Sequence, residues 1–195
     1  MTQKPAKPLF WLDRKAKQLF KPYMESAPVK AIDKAAEIGD QPQMRMLCAG
    51  LVAAGLLGAR PRMVRAGVRM LLAHELATYV KGLGKDTIDR KRPRSTSGRK
   101  ASRPHKGDSD EKELQSFPSG HSAGAIATAC AFATVYPEYR APALAAGGAV
   151  ALAQIATCAH YPSDVAAGAM VGAASNGALS LAWKAVKGVA AAAFR

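Results

Sequence analysis

The chain has 195 residues, long enough for one domain with a substantial core and too short for two comfortable ones. Hydrophobic residues make up 49% of it against only 6% aromatic, so alanine and glycine supply much of the apolar content, most of all in the second half. The formal net charge of +14 favours anionic partners: nucleic acid, acidic lipid headgroups or phosphorylated substrates. Cys48, Cys130 and Cys158 all lie in apolar stretches with no CxxC pair and no histidine at zinc spacing, which argues against a disulfide framework or a zinc module.

Residues 1–24 are basic with interleaved aromatics (Phe10, Trp11, Phe20, Tyr23), the pattern of a short surface helix on anionic lipid or of a solvated tail. No apolar stretch with a small-residue cleavage site follows, so no signal peptide is expected. Residues 27–40 form a mildly amphipathic helix, too charged to cross a bilayer unaided, and residues 1–43 are read together as an N-terminal segment. The remainder, 44–195, is read as the functional domain.

Five apolar segments follow, at about 46–59, 63–83, 120–137, 141–160 and 164–183, with charge or proline at the joints. A spanning helix needs about 20 mostly apolar residues, which the last two provide, the third nearly does and the first does not. The second carries Arg65, Arg69, His74 and Glu75, tolerable inside a bundle but costly against lipid. Strand alternation is absent and alanine-rich stretches favour helix. Small residues also let helix backbones approach closely, as in membranes. The expected fold is therefore an all-α, membrane-embedded bundle of about five or six helices, with a soluble all-α bundle as the alternative.

Between the second and third segments lies a basic stretch, about 84–117, whose part at about 94–115 reads as a mobile loop. It lacks the stacking aromatics and groove-reading motifs of nucleic-acid binders, so no nucleic-acid partner is expected.

Three short strings stand where apolar segments meet loops: KDTIDRKRP from Lys85, with Arg92 and Pro93 at its end; SFPSGHS from Ser116; and HYPSD from His160 to Asp164. Phosphoryl transfer needs positive charge around the phosphate oxygens, an in-line nucleophile and a proton donor for the leaving oxygen. Lys85 and Arg92 supply charge, and Arg92 can bond two oxygens. Ser119 and Gly120 stand where a helix N-terminus would offer free N–H groups to an anion. His121 and His160 can divide the acid and nucleophile roles, and Asp164 could accept a hydrogen bond from the second ring nitrogen of His160. If the second to fifth segments alternate in direction, all three strings meet at one end of the bundle.

These strings resemble the type-2 phosphatidic acid phosphatase and vanadium haloperoxidase superfamily, whose pattern is K-x6-RP, then PSGH, then SR-x5-H-x3-D. The likeness covers roughly residues 60–185 and implies an all-α bundle. It implies that Lys85, Arg92, Ser119 and Gly120 bind phosphate, that His121 is the general acid, that His160 is the nucleophile forming a phosphohistidine, and that Asp164 orients it. No metal and no cofactor are implied. The expected activity is hydrolysis of a lipid phosphate or diphosphate, phosphatidate-like or polyprenyl, at one face of a bacterial inner membrane. One departure stands out: the third string begins with Ala153 and Gln154 where the family has Ser-Arg. Gln154 keeps a donor and loses the charge. Either Arg90, Arg94 or Arg99 compensates, or the enzyme is slow or takes an unusual substrate, or the chain only binds phosphate or anionic lipid. A soluble acid phosphatase or a haloperoxidase is the runner-up among enzymes.

Overall fold

A computed structural model describes residues 8–193; residues 1–7 and 194–195, including the start of the basic N-terminal segment, lie outside the described residues. Seven α-helices follow in order: α1 (Pro8–Phe20), α2 (Ala27–Ala36), α3 (Gln41–Leu57), α4 (Pro61–Lys85), α5 (Gly120–Val135), α6 (Arg140–Ala156) and α7 (Pro162–Ala193). A two-residue antiparallel pair, β1 (Ile88–Asp89) with β2 (His105–Lys106), sits in the long α4–α5 connection. The all-α class expected from sequence is the one found, with seven helices among the described residues rather than five or six.

Proline marks most helix starts. Pro28, Pro42, Pro61 and Pro162 lie in the first turns of α2, α3, α4 and α7, where the missing N–H costs nothing and the fixed φ suits a helix. α5 starts differently, with the Ser119 side chain capping the N–H of Ser122.

α6 ends at Ala156, short of the apolar segment that runs to 160, so it has 17 residues rather than a spanning length. Its stop is built from the backbone. Cys158 takes a left-handed conformation (φ 54°), Cys158 N–H donates to Ile155 O at 3.1 Å and Ala159 N–H to Gln154 O at 3.1 Å. This is the Schellman arrangement, with a cysteine where glycine is usual. The turn throws residues 159–161 back across the helix end, and His160 lies on that return.

α5 is the central helix, packed on α4, α6 and α7. The core is made of small residues, with Cys48, Ala73, Ala77, Ala123, Ala127 and Ala131 fully buried around Met70. α7 approaches α5 so closely that a Cβ on Gly168 would overlap Ser119 O, and one on Gly172 would overlap Ala123 O. Large side chains point outward instead: Leu57 is 91% exposed, Met46 73% and Leu181 69%. Of the described helices one, α7 over Pro162–Lys187, is long and apolar enough to cross a membrane by length and composition.

Alternation of direction brings the end of α4, the start of α5, the end of α6 and the start of α7 to one end of the bundle. α1 and α2 pack against α6, and α1 also against α7, so the N-terminal segment borders the same end.

Candidate active site

At that end a cavity of about 360 Å³ is lined by Lys85, Arg92, Gly120, His121, Gln154 and His160. Three further cations face it: Lys81, Arg94 and Lys112. Lys81 precedes Lys85 by one helical turn and so shares its face, a spacing legible in sequence but not used there. Arg94 is paired with Glu113 at 3.1 Å, and the other four cations around the cleft repel one another unless an anion joins them. Lys85 records this: burial, and then neighbours Lys81, Arg92 and Lys112, lower its pKa to about 8. Arg92 is held by backbone carbonyls, Nε donating to Lys112 O at 2.9 Å and Nη1 to Ala159 O at 3.4 Å.

His160 is 2% exposed. Its Nδ1 lies 2.6 Å from the carbonyl oxygen of Ser116, which can only accept, so the proton sits on Nδ1. The lone pair is then on Nε2. Burial, followed by the charges of Arg92 and Lys85, pushes the His160 pKa well below its ordinary value, leaving the ring neutral. This is the state a nucleophile needs.

Asp164 does not touch the His160 ring, contrary to the direct hydrogen bond expected from the four-residue spacing. Its Oδ2 accepts from Ser116 Oγ at 2.7 Å and from the Tyr161 N–H at 3.0 Å, and its Oδ1 pairs with Arg90. Ser116 is the intermediary: its hydroxyl donates to Asp164 and its carbonyl accepts from His160. The reason is local. Asp164 lies in the first turn of α7 and bonds back to Tyr161 N–H, which turns its carboxylate away from the ring.

Arg90, one of the three arginines considered as substitutes for the missing charge, is 1% exposed. All five of its N–H donors are used. Nε donates to Ser102 O at 3.0 Å, Nη1 to Ser163 Oγ at 2.7 Å and to Asp164, and Nη2 to Asp13 Oδ2 at 2.6 Å and Ser102 O at 2.9 Å. Its guanidinium also lies 4.1 Å over the Tyr161 ring. Asp13, from α1, is fully buried and accepts from Ser163 N–H and Oγ at 3.0 and 2.6 Å. Asp13 was not foreseen, since a lone aspartate in a basic segment carries no motif.

His121 lines the cavity with its Nε2 2.9 Å from Asp40 Oδ1. Burial lowers its pKa and the Asp40 carboxylate opposes that, with Arg92 and Lys81 adding to the lowering. Gly39 packs against the ring, where a Cβ would come within 2.9 Å of Cδ2. Asp40 stands just before α3 and carries no motif either. Asp33 and Glu37 complete an acidic rim opposite the cations.

Ser119 departs from expectation. It is fully buried and its hydroxyl accepts from Ser122 Oγ at 2.9 Å, so it caps α5 and does not line the cavity, whereas Gly120 does. Gln154 occupies the last turn of α6 and reaches the cavity. Of the arginines considered as substitutes for the missing charge, Arg94 lines the cavity, Arg90 is spent in the buried network, and Arg99 is exposed elsewhere. The basic loop is tied to α1: Lys17 Nζ donates to the carbonyls of Ser97, Gly98 and Lys100, and Lys21 Nζ to that of Thr96. Among the described residues no group of three His, Cys, Asp or Glu side chains is placed to hold a metal ion.

Fold and cavity together describe a helical bundle with a cationic, anion-sized cleft and two histidines at one end. The family follows from comparison: the model of the PAP2 superfamily matches residues 66–187, and the chain belongs to that superfamily. Two curated relatives are lipid A 1-phosphatases. That of Rhizobium johnstonii is 42% identical over 65 residues, 33% of this chain and 27% of its own length. That of Rhizobium etli is 42% identical over 59 residues, 30% of this chain and 25% of its own. The matched stretch thus spans about a quarter of either relative's length. The crystal structure of Aquifex aeolicus LpxE superposes with a TM-score of 0.57 at 17% identity, covering 90% of this chain and 96% of that one. At that identity the likeness is one of fold.

Proposed function

We propose that the chain is a phosphatase that removes a phosphate from a membrane lipid through a phosphohistidine at His160. The observation that carries this reading is a buried histidine whose Nδ1 lies 2.6 Å from Ser116 O, facing a cleft lined by five cations. Nε2 of His160 attacks phosphorus while the bond to the lipid oxygen breaks, and His121 gives its proton to the departing oxygen. The cations hold the remaining phosphate oxygens. His121, now neutral, takes a proton from water as that water attacks phosphorus. The P–N bond breaks, releasing inorganic phosphate and restoring both rings.

A bound phosphate adds negative charge beside His121 and raises its proton affinity, so the substrate itself favours the acid form. Lys81, Arg94 and Lys112 supply charge around Gln154. A lipid substrate suits the exterior, whose large apolar side chains face outward over a small-residue core, the distribution of a bundle packed in lipid. Inorganic phosphate release by the detergent-solubilised chain tests the proposal. The substrate panel holds phosphatidate, polyprenyl mono- and diphosphates, and lipid A, the substrate in the relatives' names. Release that falls to background in His160→Ala is the expected result. A folded chain that binds these lipids and releases nothing would make it a binding protein.

A further inference from the structure

A second cavity, of about 820 Å³, opens at the other end of the bundle. It is built from the first half of α4, the ends of α3 and α5 and the second half of α7, away from the helix ends that make the active site. The 25 residues of α4 rise about 37 Å, so the two openings lie on opposite faces. Its walls are apolar, with Val64, Val135 and Leu179 inside and Leu72 and Trp183 half exposed at the mouth. A tryptophan in that position suits a membrane–water interface.

The polar part of the lining is one-sided in charge. Arg60, Arg65 and Arg69 line the cavity, and no Asp or Glu does. The neighbouring carboxylate, Glu138, is taken by Arg62 at 2.7 Å. Arg69 donates to two neutral groups, Asn176 Oδ1 and Ser180 Oγ, while its Nε is buried with no hydrogen-bond partner among the described residues. Arg60 and Arg65 are exposed and have no carboxylate partner among the described residues. An apolar trough with unneutralised guanidinium groups at its edge fits a ligand with a chain and a negative head.

We propose that this groove seats an anionic phospholipid of the leaflet opposite the active site, its acyl chain against Val64, Leu72 and Leu179 and its phosphate on Arg60 and Arg65. A zwitterionic head would bring a second cation among three arginines with no acid to receive it. The proposal rests on the membrane reading and not on the chemistry at His160.

The test uses the full chain, delipidated in neutral detergent, titrated with phosphatidylglycerol, with phosphatidylcholine of the same chains, and with inorganic phosphate. Thermal midpoint and native mass spectrometry are read in parallel. Phosphatidylglycerol is expected to raise the midpoint saturably and to survive as a one-to-one complex, while the other two do neither. The double variant Arg60→Ala/Arg65→Ala is expected to weaken apparent phosphatidylglycerol affinity by about thirtyfold, with phosphate release unchanged. Phosphatidylcholine binding equally would reduce the groove to a filled apolar crevice and overturn the proposal. So would inorganic phosphate acting alone, or a double variant that binds as before. Should the double variant fail to fold, exposed Arg65→Gln carries the test with an expected loss of about fivefold. Absent phosphate release from the wild type would count against the phosphatase reading and leave the groove result standing.

Discussion

His121 and His160 share one cluster of cations and need opposite protonation states. His160 is neutral because burial and the charges of Arg92 and Lys85 disfavour its proton. His121 meets some of the same charges but has Asp40 on Nε2. The pH profile of kcat is therefore expected to be a bell. Its acid limb, set by protonation of His160, lies well below the ordinary histidine range, and its alkaline limb is set by loss of the His121 proton. Asp40→Asn removes a neighbour that raises the His121 pKa. The alkaline limb should move to lower pH while the acid limb stays, and an unmoved alkaline limb would remove Asp40 from the chemistry. Gln154 makes a second case. With five cations already facing the cavity, Gln154→Arg should raise turnover less than about tenfold. Arg94→Ala should lower it by about 100-fold, the usual effect of removing one transition-state donor. The reverse pattern in initial rates would mean that the missing arginine is not replaced.

The helices themselves were largely legible from residues. Apolar segments at 46–59, 63–83 and 120–137 correspond to α3, α4 and α5 within a few positions, because proline and Ser119 announce the starts. α6 was overread at its end, since the Cys158 turn is made by backbone in a left-handed conformation that a cysteine does not advertise. α1 was the least legible. Its inward face carries Asp13 and Lys17, and Trp11, Leu12 and Leu19 point outward, the reverse of a helix on an aqueous surface. The polar face makes sense only with Arg90 and the loop carbonyls in place, which lie about 75 to 85 positions further along. Truncating Asp13 leaves Arg90 with one carboxylate in a buried site. Asp13→Ala should cost about 3–5 kcal/mol, seen as a lower thermal midpoint, because one partner of a buried pair is lost. A change below about 1 kcal/mol would mean that water or another group fills the gap.

Among the described residues the core is mostly alanine and glycine around Met44, Met70, Val135 and Val165, while many leucines and other large apolar side chains, Leu57, Met46 and Leu181 among them, face outward. Membranes of cells expressing the chain should retain it through high salt and alkaline carbonate and release it to detergent. Release by salt alone would point to a peripheral protein held by its net charge of +14. Motif order brought Lys85, Arg92, His121 and His160 to one cavity, because those residues sit near helix ends that the topology must bring together. Asp13 and Asp40 reach this end of the bundle from elements with no motif, whereas Lys81 sits one turn before Lys85 on α4, and Asp164 meets His160 through Ser116 rather than directly. The most direct measurement is rapid acid-free quenching of the chain with ³²P-labelled lipid phosphate, followed by mapping of the label. The expected result is an acid-labile, alkali-stable label on the peptide containing His160, absent from His160→Ala. Turnover without any label at that histidine would contradict the mechanism and point to direct attack by water.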